Sequence, residues 1–268
     1  MSDTVASIPK ADLTGKVAVV TGAGSEIGLA LALHAADRRM KVALADADPS
    51  LLASAHEAVK ATNVETLAEC TEEFDLAALR NLVRRTEQEL GPPWLACNSG
   101  GSTIEANLWG VIHGVQVFTP RLVNRAAGHI VNIASNLIFR FHAAAVGIAV
   151  NHAIVGLSES LYRELDLLSS PVGVTVVCPN INSRIACTCG VQNSMYPLAL
   201  EDTLPIVPPK ELAEQIFSAV ERREFWVSPH TNQMHETTYT GPYAASSTRV
   251  GRYDRSGNGA ALAVELSL

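Results

Sequence analysis

The alternation of short apolar runs with longer amphipathic segments is the feature that most limits the folds open to this chain. In the segment 75–90, for example, Leu76, Leu79 and Val83 recur at helical spacing opposite a charged face. Strict alternation of strands and helices is typical of a parallel sheet covered by helices on both faces. We therefore predict an α/β fold, a doubly wound, seven-stranded parallel sheet forming a single Rossmann-type domain. The predicted strands are 16–21, 41–46, 64–69, 94–98, 129–134, 173–178 and 225–228, and the predicted helices lie near 26–38, 50–61, 75–90, 105–126, 148–168 and 209–222.

The composition changes close to Pro229. Residues 231–268 are rich in Thr, Ser, Gly, Tyr and Ala and show no sustained periodicity. The sequence therefore predicts a domain over 1–230 and an irregular C-terminal tail over 231–268. Such a tail is either mobile or an arm that covers a site or a neighbouring subunit.

Charge and cysteine content restrict the partners and the compartment. The net charge is −7, with 20 basic against 27 acidic residues, and no basic cluster exceeds two residues, which argues against nucleic acid and anionic membranes as partners. No apolar run reaches the length of a membrane span, residues 1–15 lack the apolar stretch of a signal peptide, and the five cysteines form no disulfide framework. We expect a cytoplasmic protein. Cys187 and Cys189 lack histidines at metal-ligand spacing, so no metal site is predicted.

A glycine-containing turn follows the first predicted strand. The sequence Thr-Gly-Ala-Gly-Ser-Glu-Ile-Gly over 21–28 precedes the first predicted helix. Glycines allow a tight turn and close approach of a diphosphate to the positive helix N-terminus. Asp46 ends the second strand, 24 residues after Gly22, where an acid can bind both ribose hydroxyls. Together these features indicate a dinucleotide site.

Over residues 13 to about 230 the chain resembles the short-chain dehydrogenase/reductase (SDR) superfamily. The glycine turn resembles the family's Thr-Gly-x-x-x-Gly-x-Gly, with Glu26 in place of the middle glycine. The segment 135–159 resembles the family's catalytic segment, and counting back from Gly156 places the expected Lys at Asn151 and the expected Tyr at Gly147. The resemblance thus identifies a degenerate member that lacks the Tyr-x-x-x-Lys pair.

The resemblance implies a set of cofactor-binding residues. NAD is favoured over NADP because an acid at Asp46 repels a 2′-phosphate. Glu26 either replaces the bound anion at the helix N-terminus or turns into solvent. The predicted cofactor-binding residues are Gly22, Ser25, Ile27, Gly28, Asp46, Asn98, Gly100 and Ser183.

The resemblance also implies which residues carry the chemistry. Ser135 and Asn107 match the family's Ser and Asn, whereas Gly147 cannot hold a proton and neutral Asn151 cannot lower the pKa of a phenol. Loss of a positioned general acid typically lowers the reaction rate by a factor of about 10²–10⁴. His142 and Arg140, in the loop after Ser135, are candidates for a replacement acid. The predicted catalytic set is Ser135, Asn107, Asn151 and His142, and the connection 101–106 is shorter than the family's.

Three functions are compatible with these features. The favoured hypothesis is an SDR-fold enzyme that catalyses a non-redox step, namely cyclisation, isomerisation or elimination, on an apolar small molecule. The alternatives are an NAD(H)-dependent oxidoreductase with a relocated acid and a catalytically silent binding or regulatory protein. The resemblance further implies a homo-oligomer assembled through the fifth and sixth helices, 148–168 and 209–222.

Overall fold

A seven-stranded parallel sheet forms the centre of the molecule, with helices on both faces. The structure, a computed structural model, describes residues 12–99, 105–135, 145–179 and 207–228. The strands are β1 (Val17–Thr21), β2 (Lys41–Asp46), β3 (Thr66–Cys70), β4 (Pro93–Asn98), β5 (His129–Ile133), β6 (Gly173–Val177) and β7 (Trp226–Val227). Their order in the sheet is β3-β2-β1-β4-β5-β6-β7, and every pairing is parallel. The predicted fold class is confirmed.

In the described part of the chain, six helices and one π-helical turn connect the strands. They are α1 (Glu26–Asp37), α2 (Pro49–Lys60), α3 (Leu76–Glu89), the π-turn (Glu105–Trp109), α4 (Gly110–Asn124), α5 (Ala145–Leu167) and α6 (Pro209–Arg222). Side chains at three N-terminal caps accept backbone N–H groups, namely Ser25 at α1, Asp48 at α2 and Asp75 at α3. The helix predicted near 105–126 begins with the π-turn. Hydrophobic periodicity over only five residues cannot distinguish a π-helical turn from an α-helical one.

Alternation along the strands divides the core between the two faces of the sheet. Ala18 and Val20 pack with α1 and α6, whereas Val17 and Val19 pack with α3 and α4. Helix α5 covers β5 and β6 on the same face as α3 and α4, through residues such as Ile154. The chain passes from β1 to β2 but from β4 to β5, in opposite directions along the sheet, so a crevice forms between the carboxyl ends of β1 and β4.

Several predicted segments are not part of the described residues. The predicted tail, 231–268, lies outside them, and the domain boundary at 230 stays a prediction. Within the described ranges, no helix is long and apolar enough to cross a membrane.

Candidate functional site

The turn after β1 is held by one serine. The Ser25 hydroxyl donates to the carbonyl oxygen of Gly22 at 2.7 Å and accepts the N–H of Gly28 at 3.0 Å. These two hydrogen bonds close the turn and cap the first turn of α1. The positive end of α1 is thereby fixed at the carboxyl edge of the sheet, where it can receive an anion.

Two of the predicted glycines are required by close backbone contacts. Gly22 has φ = +61°, and a Cβ there would lie 1.9 Å from the carbonyl oxygen of Ser99. A Cβ on Gly28 would lie 2.0 Å from the carbonyl oxygen of Gly22. Side chains are thus excluded from both positions, because each Cβ would meet the protein's own backbone. We call this tightly packed turn, residues 22–28, the cradle. Glu26 is exposed at the first residue of α1, in agreement with the solvent-facing alternative.

Asp46 ends β2 beside this turn. One of its carboxylate oxygens accepts the N–H of Gly24 at 2.8 Å, and the other accepts the N–H of Asp48 at 2.9 Å. Each carboxylate oxygen can accept more than one hydrogen bond, so both bonds leave capacity for ribose hydroxyls. The predicted ribose-binding acid therefore lies next to the predicted phosphate turn.

Asn98 has a different environment from that of the cradle residues. Its side chain is 1% exposed and donates to Asn132 on the neighbouring strand at 2.8 Å. Asn132 in turn donates to the hydroxyl of Ser158 on α5 at 2.9 Å. A Cβ on Gly114 would lie 2.1 Å from Asn98 Oδ1, so α4 packs directly on this amide. The structure thus uses the Asn98 side chain to join β4, β5 and α5.

The residues predicted to carry the chemistry lie on three elements that meet in one apolar cluster. Leu108 of the π-turn, Ala134 at the end of β5 and Val150 of α5 belong to this cluster. Asn107 and Ser135 directly adjoin two of its members in the chain. The structure therefore brings the elements that carry Asn107, Ser135 and Asn151 together.

The position expected for lysine is enclosed. Asn151 is 4% exposed, and its Nδ2 donates to the carbonyl oxygen of Gly147 one turn earlier, at 2.7 Å. Its Oδ1 is buried without a hydrogen-bond partner among the described residues. A buried, unpaired acceptor is costly unless a ligand or water supplies a donor. Asn151 therefore offers an acceptor where the family's lysine would offer a donor.

Four predicted or candidate site residues cannot be placed. Gly100, His142, Ser183 and Arg140 lie outside the described residues, as do positions 101–104 of the shortened connection.

The structure adds one residue that sequence reasoning missed. Glu73 follows β3 and is 5% exposed, and its Oε1 accepts the N–H of Gly22 at 2.9 Å. Burial raises the pKa of Glu73 to about 7, with a smaller contribution from the charge of Asp46. In the sequence, Glu72 and Glu73 form an acidic pair that looks like a solvated turn, and no pattern distinguishes the buried member.

Comparison with known proteins decides the family. The sequence profile of the short chain dehydrogenase family matches residues 16–185, more than half of the chain. The chain belongs to the short-chain dehydrogenase family. SadH of Mycobacterium tuberculosis, which is named as a putative oxidoreductase, is 32% identical to this chain over 184 residues. The alignment covers 62% of this chain and 66% of SadH, which is just under two thirds of the length of SadH. The 1-deoxy-11-beta-hydroxypentalenate dehydrogenase of Streptomyces avermitilis is 30% identical over 187 residues, spanning 62% of this chain and 68% of that enzyme.

A solved relative gives the same result for the fold of this short-chain dehydrogenase. The short-chain dehydrogenase/reductase of Burkholderia phymatum, determined in complex with NAD, has a TM-score of 0.72 and 27% sequence identity. The alignment covers 82% of this chain and 90% of that protein. The family prediction is therefore confirmed, whereas the missing Tyr-x-x-x-Lys pair stays an interpretation of the sequence.

Proposed function

We propose that this short-chain dehydrogenase is an NAD(H)-dependent oxidoreductase acting on an apolar carbonyl compound or alcohol. The main support is the cradle, the turn that Gly22, Ser25 and Gly28 form at the N-terminus of α1, which lies beside Asp46. The missing Tyr-x-x-x-Lys pair by itself favours a non-redox reaction instead. The relatives are named as an oxidoreductase and a dehydrogenase, which favours the alternative hypothesis over the non-redox one.

The residues at the cradle suit NAD. The backbone around Ser25, Ile27 and Gly28 would hold the diphosphate at the N-terminus of α1, and Asp46 would accept the ribose hydroxyls. The relative from Burkholderia phymatum contains NAD, in agreement with the cofactor predicted from the sequence. The negative charge of Asp46 disfavours a 2′-phosphate. In the bound cofactor, NADH would supply the hydride to a carbonyl carbon, and NAD⁺ would accept it from an alcohol carbon.

The four predicted catalytic side chains would act at the substrate oxygen and around it. In a reduction, the carbonyl oxygen gains negative charge and must receive a proton. We propose that Ser135 donates a hydrogen bond to this oxygen and that Asn107 orders a water molecule. Asn151 Oδ1 would accept a hydrogen bond from a hydroxyl group of the ribose or of the substrate, because this oxygen is buried without a partner among the described residues. We assign the role of proton donor to His142, which lies in the sequence between β5 and α5.

The first prediction concerns the cofactor. Calorimetric titration should show micromolar binding of NAD⁺ and NADH and much weaker binding of NADP⁺ and NADPH, because Asp46 repels the 2′-phosphate. Asp46→Asn should reduce the preference for NAD at least about tenfold, since it removes that repulsion. Asp48→Asn is the matched control, because it removes a nearby exposed charge and should keep the preference. No binding of any dinucleotide would contradict the proposed function.

The second prediction concerns the missing acid. The double variant Gly147→Tyr with Asn151→Lys should raise kcat for NADH-linked ketone reduction at least about 10²-fold, because it restores a positioned proton donor and the cation that lowers its pKa. Steady-state kinetics on a panel of apolar ketones measures the gain. Asn151→Lys alone supplies no proton donor and should give no such gain. A folded double variant that binds NADH without faster turnover would show that the cleft no longer supports the reaction.

The proposed assembly is a homo-oligomer. The family resemblance predicts that its contacts lie on the fifth and sixth helices, which are α5 and α6. The structure packs these helices on opposite faces of the sheet, since α5 covers Val174 and Val176 whereas α6 lies with Val177 in a separate cluster. If both helices make subunit contacts, they belong to two different interfaces.

A further inference from the structure

Glu73 occupies an unusual position for a carboxylate. It is the only acidic side chain classed as buried in the described part of the chain. Its Oε1 accepts the backbone N–H of Gly22, a residue 51 positions away in the sequence, at 2.9 Å. The carboxyl group therefore contacts the turn that forms the proposed diphosphate cradle.

The side chain of Glu73 is also enclosed from the side of α4. A Cβ on Gly110, the first residue of α4, would lie 3.0 Å from Glu73 Cβ and 3.8 Å from its backbone. The glycine turn and the start of α4 thus hold Glu73 between them. Because Glu73 bonds directly to the backbone of Gly22, any change in its charge acts on the turn.

The surrounding charges favour the neutral form. Burial is the main cause of the raised pKa of Glu73, and the negative charges of Asp46 and Glu72 add to it. The backbone N–H groups of Glu73 itself and of Gly22 act in the opposite direction. Other titratable groups at the starts of neighbouring elements are Glu26 on α1, Asp75 before α3, and Glu105 and His113 on the π-turn and α4. With a pKa of about 7, Glu73 is partly protonated under ordinary buffer conditions.

We propose that Glu73 is a positioning residue that couples binding of a dinucleotide at the glycine turn to the uptake of a proton. This inference rests on the proposed function. A bound diphosphate brings negative charge to the turn that Glu73 contacts, so binding favours the neutral carboxyl group over the carboxylate. The neutral group still accepts the Gly22 N–H through its carbonyl oxygen, which preserves the shape of the turn.

The third prediction tests this coupling by titrating the full chain with NADH at pH 7.5, in two buffers of different ionisation enthalpy. If binding raises the Glu73 pKa by about one unit, about half a proton should be taken up per NADH bound. Over pH 6 to 8, NADH affinity should fall about fivefold for the same reason. Glu73→Gln should keep the hydrogen bond to Gly22, bind NADH with little change in affinity over this range, and take up no proton.

Glu72→Gln is the matched control. It removes a charge of the same size from the adjacent, exposed position and should keep most of the proton uptake. NADH binding without proton uptake in the wild-type protein would overturn the coupling while leaving the proposed function intact. Equal uptake in wild type and Glu73→Gln, or loss of NADH binding in a folded Glu73→Gln protein, would also overturn it. No NADH binding by the wild type would instead contradict the proposed function on which the coupling rests.

Discussion

Replacing Gly22 by alanine is expected to destabilise the protein by about 4 kcal/mol or more and to abolish NADH binding. The backbone at Gly22 has φ = +61°, which costs an alanine roughly 1–2 kcal/mol. The larger part of the effect arises because the new Cβ would lie 1.9 Å from the carbonyl oxygen of Ser99. Both atoms belong to backbone segments at the sheet edge, so relieving the contact requires β1 and β4 to separate.

Gly15→Ala is the matched control for this prediction. Gly15 also has a positive φ, +71°, but a Cβ there would have no neighbour within 4 Å. Chemical denaturation should therefore show a loss of only about 1–2 kcal/mol for Gly15→Ala, with NADH binding retained. Equal losses for the two variants would mean that backbone strain alone acts at Gly22 and that the contact with Ser99 relaxes without cost.

The sequence predicts most of the fold because the relevant patterns are local. Runs such as 41–46 and periodic segments such as 75–90 each identify one element, and the observed ends differ from the predicted ones by at most about three residues. The glycine turn is predictable for the same reason, since Gly22, Ser25 and Gly28 lie within one short segment.

The functional details that the sequence does not predict depend on contacts between distant segments. Glu73 is buried because the turn at Gly22 and the start of α4 enclose it, and neither contact is visible in the acidic pair of which it is part. Asn98 matches a family position, yet its bonding to Asn132 arises from the register of β4 and β5. Such pairings are fixed by tertiary structure and leave no local periodicity.

A buried histidine outside the glycine turn should make a large contribution to the loss of stability in acid. His129 is 1% exposed on β5, and its Nε2 lies 2.7 Å from the hydroxyl of Thr175. Thr175 donates its only proton to the carbonyl oxygen of Glu224, so Nε2 must be the donor to Thr175. Nδ1 packs against Gly173, where an added Cβ would lie 2.2 Å away. Burial accordingly lowers the pKa of His129 to about 3.

The direction of the pH dependence follows from these protonation states. Between pH 6.5 and about 3 the unfolded chain binds a proton at His129 and the folded chain does not. The contribution of His129 to the free energy of unfolding should therefore fall by about 1.4 kcal/mol per pH unit in this range, roughly 5 kcal/mol in total. Glu73 acts in the opposite direction, because between pH 7 and 4.5 the folded chain holds the proton that the unfolded chain releases.

Urea denaturation at several pH values, comparing wild type with His129→Gln, isolates the histidine. Glutamine does not titrate and can still donate a hydrogen bond to Thr175. Glu73 and the other carboxylates titrate in both proteins, so their contributions cancel in the difference between the two free energies of unfolding. His129→Gln should lose some stability at pH 7 through imperfect packing, yet its relative stability should improve by several kcal/mol as the pH falls from 6.5 to 4. His56→Gln is the matched control, because His56 also bonds a threonine hydroxyl, Thr66 at 2.9 Å, but from a partly exposed position. If the difference between wild type and His129→Gln did not change with pH, the buried ring would have to accept a proton without cost, which its contacts with Thr175 and Gly173 oppose.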